Sequence, residues 1–233
     1  MEAWLEWARG PAFVFAFTFM VLGLVRHVVL TFAEMYRTMR RAGDKSLAYS
    51  KILVTTIKWL VPVGKIRNEV LYSVTSILFH IAILIVPVFL GGHIVLWARG
   101  LGLSWPGIPN EVADVLAIVA IVTAVALVVQ RVSARPTRTL SRFQDYALPL
   151  LIAVPFVTGF LVMHPAMNPF SYEAVLLVHV MSANLIFVLM PITKLSHAAF
   201  MPSVQFVSEL GWKWPADSGT RVAVALRKEE EPV

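Results

Sequence analysis

Six histidines stand in this chain of 233 residues: His27, His80, His93, His164, His179 and His197. Four of them, His80, His93, His179 and His197, fall within or at the edge of long apolar stretches. An ionisable side chain in such a place is costly and marks function by default. For any one histidine, a hydrogen bond to a backbone carbonyl or a serine is an equally good account. Two on each of two helices is a different case, because two imidazoles facing across a gap form the ligand set of a bis-histidine haem. There is no cysteine, so the chain alone makes no disulfide, thiolate zinc site or cysteine-held iron–sulfur cluster. Metal-ion transport fits less well, since no intramembrane carboxylates accompany these histidines.

The elements that must position them follow from composition. Hydrophobic residues make up 58% and charged residues 15%, well away from the roughly 45–50% and 25% of a soluble domain. A soluble single domain and a disordered chain are both excluded on those terms. The apolar runs are continuous rather than alternating, which excludes a membrane β-barrel. The fold class is all-α, a polytopic membrane protein with five transmembrane helices in one bundle. About 20 apolar residues cross a bilayer as helix. The expected spans are residues 11–32, 71–96, 112–129, 146–163 and 174–192. The start, MEAWLEWARGP, is acidic and is followed by no small-residue cleavage site, unlike a secretory signal. No internal repeat is present.

Lys and Arg outside the spans set the orientation. The first loop, residues 33–70, carries eight: Arg37, Arg40, Arg41, Lys45, Lys51, Lys58, Lys65 and Arg67. The third loop carries Arg131, Arg135, Arg138 and Arg142, and the C-terminal segment Lys194, Lys213, Arg221, Arg227 and Lys228. Only Arg9 and Arg99 lie on the other side, and Arg26 lies within the first span. By the positive-inside rule the N-terminus is periplasmic and the C-terminus cytoplasmic. The net charge of +6 is thereby explained without nucleic acid. Residues 50–61 (SKILVTTIKWLV) are expected to form an amphipathic cytoplasmic helix, lying on the lipid surface or docking a partner. Residues 1–197 form the membrane domain. Residues 198–233 form a polar cytoplasmic tail in which Trp212 and Trp214 suggest a partner subunit.

Antiparallel helices then pair the histidines by depth. His179 and His197 are eighteen residues apart, which is five helical turns, so an unbroken fifth helix carries both on one face about 27 Å apart. The second helix runs the opposite way. It offers His93 to His179 near the outer surface and His80 to His197 near the inner one. Thirteen residues separate His80 from His93, about 220° on an ideal helix, so they do not share a face. Pro87, Gly91 and Gly92 lie between them. Either the distortion there swings His93 toward the fifth helix, or His93 is not a ligand. His27, beside Arg26, is assigned a structural or propionate-pairing role. His164, before Pro165, is either a solvated loop residue or part of an outer site.

The stretches FHIAILIVPVFLGGH (Phe79–His93) and LLVHVMSANLIFVLMPITKLSH (Leu176–His197) resemble the second and fifth helices of respiratory nitrate reductase gamma subunits and their relatives. The wider spacing in the second helix, with its proline, looks more like the membrane subunits of heterodisulfide reductase and of sulfite-reductase-linked complexes. The resemblance covers all five spans. It implies a dihaem cytochrome b with two haems b, His80 and His197 ligating the inner haem iron and His93 and His179 the outer. It implies a quinone site beside the outer haem, at the level of Gly91, Gly92, Arg99, Asp114 and His164. Asp114 or His164 is placed to take the quinol proton. Lys194 and Ser196, with Arg26, are candidates to meet haem propionates or a partner.

The function so implied is that of the quinone-reactive subunit of a respiratory oxidoreductase in the prokaryotic cytoplasmic (inner) membrane. Electrons would move between menaquinone or ubiquinone and a cytoplasmic iron–sulfur subunit serving a catalytic subunit. The chain needs no bond-making residues of its own, because the cofactor carries the chemistry. The alternative is a membrane anchor with one haem or none, which leaves four placed histidines unexplained. A transporter is a third reading, but inverted repeats and paired broken helices are not evident.

Overall fold

The computed structural model describes residues 1–41, 49–60, 69–197, 200 and 217–230. The described residues are mostly helical and include no strand. The helices are α1 (Glu2–Arg9), α2 (Pro11–Arg41), α3 (Tyr49–Leu60), α4 (Val70–Phe89), α5 (Gly91–Leu101), α6 (Asn110–Ser133), α7 (Arg135–Leu140), α8 (Phe143–Met163), α9 (Tyr172–Leu189) and α10 (Ser218–Leu226). Five helical stretches are long and apolar enough to cross a membrane: Glu2–Arg37, Val70–Phe89, Asn110–Ser133, Phe143–Met163 and Tyr172–Leu189. These are the five spans expected from composition, with different ends. The chain divides into two compact units, Met1–Phe19 with Gly64–Leu189, and Met20–Val63 with Met190–Val233.

In the first unit α6 packs between α4 and α8, α9 packs on α8, and α1 on α9. The sequence of α6 explains its central place. Ala113, Ala117, Ala120 and Ala124 recur at helical spacing and are buried, so neighbouring backbones approach closely along a stripe of small residues. Val115, Ile118, Val122, Val125, Val129 and Val132 form the other face and are exposed. A helix with an apolar exposed face and a small-residue buried face is the pattern of a bilayer span. Thr75 and Gln130 tie α4 to α6, with Gln130 Nε2 donating to Thr75 Oγ1 at 3.0 Å. Arg131 reaches the Tyr72 hydroxyl and Ser141.

Three expectations about helix ends change. The first span begins at Glu2 rather than Pro11, because α1 continues into α2 through a bend at Gly10. The second span, expected over 71–96, breaks at Leu90, whose ψ of 129° is extended. Pro87 lacks an N–H and weakens the ladder just before the break. The loop after α5 satisfies the carbonyls exposed there: Trp105 Nε1 donates to Val88 O at 3.0 Å and Ile108 N to Phe89 O at 2.9 Å. The fifth span ends at Leu189, so His179 and His197 do not share one continuous helix. Pro191 cannot donate and disfavours helical geometry at Met190 before it. Turns, then a short 3₁₀ segment (Lys194–Ser196), carry the chain to His197.

In the second unit, the Pro191 carbonyl accepts a bond from His27 Nε2–H at 2.7 Å. Gly23 makes room for that turn: a Cβ there would lie 2.5 Å from Pro191 Cβ. Phe200 meets the His27 ring edge-on at 5.1 Å. The expected amphipathic segment is helical, as α3. Trp212, Trp214 and most of the tail assigned to partner docking lie outside the described residues, as do Lys45, Lys65 and Arg67.

Candidate functional site

The break at Leu90 decides where His93 goes. His93 sits in the first turn of α5, and its ring comes to rest beside His179 of α9. The ring centroids are 6.1 Å apart and the planes are within 8° of parallel. Two imidazoles on opposite sides of one metal ion, each nitrogen about 2 Å from it, put their centroids roughly 6 Å apart. The observed separation therefore suits a shared metal ion. Both side chains are half-buried. His93 Nδ1 is buried and makes no hydrogen bond of ordinary geometry, with the backbone of Val86 and Pro87 the nearest polar groups to the side chain.

His179 is held from α8. Its Nδ1–H donates to the Pro155 carbonyl at 2.9 Å, with Thr158 Oγ1 at 3.5 Å. A carbonyl only accepts, so Nδ1 carries the proton and Nε2 carries the lone pair. One turn on, Gly159 lies directly against the ring. A Cβ there would stand 2.9 Å from His179 Cε1 and 3.1 Å from Nδ1. Only glycine lets the imidazole lie so close to the helix. Near His93, a Cβ at Gly91 or Gly92 would meet nothing within 4 Å, so this flank of α5 is bare backbone that a flat ring can approach.

His80 belongs to the first unit and His197 to the second. His80 Nδ1–H donates to Ser76 O at 2.7 Å, and His197 Nδ1–H to Lys194 O at 2.7 Å. Both are exposed. His80, His179 and His197 thus share one tautomer, Nδ1–H given to a backbone carbonyl and Nε2 presented as acceptor. Metal-ligating histidines usually give their second ring N–H to a carbonyl or carboxylate in this manner. His27 uses the opposite nitrogen, giving Nε2–H to Pro191 O, and serves the turn rather than a metal.

His164 is the residue after the last of α8, and its side chain is 32% exposed. At the C-terminal end of α8 it stacks on Phe160, with centroids at 4.2 Å and planes 22° apart. Its Nδ1–H donates to Phe160 O at 2.9 Å, and its Nε2 lies 3.2 Å from Asp114 Oδ2 on α6. His164 is five residues beyond Gly159, about 7.5 Å further along α8. Of the other expected site residues, Arg99 and Arg26 are exposed. Ser196 gives its hydroxyl to Thr193 O at 2.8 Å, and the Lys194 carbonyl receives His197. No group of three or more His, Cys, Asp or Glu that could hold a metal occurs among the described residues; a bis-imidazole site needs two.

Sequence reasoning missed Gly159, Phe160 and Trp105. Gly159 was findable as a glycine within an apolar span, where a conformationally costly residue signals close approach.

No protein-family model matches the chain, and no solved structure matches it. A protein of Nitratidesulfovibrio vulgaris strain Hildenborough is 37% identical over 145 residues, 61% of this chain and 63% of that relative. The match takes in less than two thirds of the relative's length, and its printed name, "Protein", carries no activity. The structure shows a helical chain with five apolar spans and, among the described residues, two parallel imidazoles, His93 and His179, with centroids 6.1 Å apart.

Proposed function

We propose that this chain is the membrane cytochrome b subunit of a respiratory oxidoreductase. It moves electrons between the quinone pool and a cytoplasmic iron–sulfur subunit of the same complex. The observation that carries the reading is the His93–His179 pair, parallel and 6.1 Å apart, with a glycine cradling the His179 ring. When bound there, haem b supplies a one-electron carrier. The chain's own part is to orient the rings: Pro155 fixes the tautomer of His179, Gly159 fixes its depth, and the Leu90 break turns His93 inward. The family resemblance assigns His80 and His197 to a second haem.

The distribution of Lys and Arg supports a periplasmic N-terminus in the cytoplasmic membrane of a prokaryote. With that orientation the His93–His179 pair is the outer one. Menaquinone or ubiquinone would react beside it, near Gly91, Gly92 and Arg99, and electrons would cross to the basic inner face. The test is haem b per polypeptide, by pyridine haemochrome on the purified chain with a dithionite-reduced spectrum. Two haems are expected, falling to one in His179→Ala. A folded chain without haem overturns the reading and favours a membrane anchor.

A further inference from the structure

We propose that Asp114 and His164 act together as a single proton-exchanging couple for the quinone that reacts beside His93 and His179. This rests on the function proposed above and assigns the proton half of that reaction to two residues of this chain.

Both ring nitrogens of His164 face acceptors. Nδ1 is 2.9 Å from the Phe160 carbonyl, which fixes a proton there, and Nε2 is 3.2 Å from Asp114 Oδ2. A neutral ring would then set a bare nitrogen against an ionised carboxylate, acceptor against acceptor. The contact closes only with one further proton, held on Nε2 or on the carboxyl. The loaded couple is neutral overall, and the unloaded couple carries one negative charge and two opposed lone pairs. The two side chains are 32% and 30% exposed, and they sit at the ends of α6 and α8 that the charge distribution assigns to the periplasmic surface. Phe160 keeps the ring in place by stacking at 4.2 Å. Among the ionisable groups on the helices of this unit are Glu111, three residues before Asp114 on α6, Tyr172 and Glu173 at the start of α9, and Arg99 near the end of α5. Among the described residues no hydrogen bond or ion pair joins any of these to the couple.

A quinol O–H bond breaks, and its proton passes to the unloaded couple. The two electrons of the quinol leave singly toward the haem of the proposed function and then the iron–sulfur partner, which is the oxidant. The couple releases its proton to water and is ready again, so each quinol uses it twice. Quinone reduction is the same path reversed.

The test uses the full chain with Asp114→Asn, His164→Gln and Asp114→Glu. Three quantities are measured: haem per chain, the pH dependence of haem reduction by menadiol in stopped flow, and the pH-induced infrared difference spectrum with and without haem. Asp114→Asn and His164→Gln are expected to keep wild-type haem content and spectrum. Their reduction by menadiol should slow roughly a hundredfold, the scale of a lost acid–base group, and lose the wild-type pH dependence. Asp114→Glu, which keeps a carboxylate, should recover most of the rate. A carboxyl band in the wild-type infrared spectrum should vanish in Asp114→Asn, whether or not haem is present. Haem-loaded variants reduced at the wild-type rate overturn the couple alone. A wild-type chain that binds no haem overturns the underlying function, a result separable from the first.

Discussion

Two histidines lean on neighbouring residues of α8, His179 on Gly159 and His164 on Phe160, yet their surroundings are opposite. His179 has one nitrogen satisfied by a carbonyl and faces another imidazole. His164 has both nitrogens against acceptors, one of them a carboxylate. The first arrangement presents a lone pair to a metal. The second has no lone pair to offer while it holds its proton. One helix therefore positions a ligand and a proton carrier by a change of residue type between adjacent positions: no side chain where a ring must lie against the backbone, and a flat ring where another must be stacked.

The largest effect should come from removing the ligand. His179→Ala is expected to lose one haem per chain, while Asp114→Asn loses none; haemochrome assays on both variants check the contrast. Next is Gly159→Val, which forces a methyl-bearing carbon into the His179 ring. Overpacking of this kind costs about 1–3 kcal/mol, and the outer haem should be lost or spectrally altered with the chain still folded, as read by reduced spectra and circular dichroism. A change that spares the outer haem would mean that Gly159 is not a cradle. Trp105→Phe removes one of the two bonds that satisfy the carbonyls at the Leu90 break. It should cost about 1 kcal/mol, seen as a lower thermal midpoint and a weaker hold on the haem beside His93. The smallest effect is Phe160→Leu, which removes a stack worth about 0.5–1.5 kcal/mol. It should leave haem content untouched and slow menadiol oxidation modestly, measured by stopped flow.

Much of the architecture is legible in composition, because a bilayer demands long apolar helices and this chain has five. The meeting of His93 with His179 is also legible as one of two outcomes, since Pro87 and two glycines announce a distortion between His80 and His93. Its direction is not, because it depends on Trp105 and Ile108, fifteen or more residues away, capturing the carbonyls of Val88 and Phe89. The end of α9 illustrates a neglected local rule. Apolar periodicity runs through Met190 and Ile192, but Pro191 ends the helix whatever the hydropathy of its neighbours. The Asp114–His164 couple joins residues fifty positions apart on two helices, and nothing in their spacing pairs them. Only the packing of α6 against α8 does so.

The bond from Asn184 Nδ2 to the Ala8 carbonyl, 2.9 Å long and buried, has a consequence for biogenesis. Ala8 lies on α1 and Asn184 on α9, which comes after the other four spans in chain order. This bond therefore cannot form until α9 has been synthesised. Nascent chains stopped before Asn184 should leave α1 open to proteases or chaperones, and completion of the fifth span should close that window in a single step.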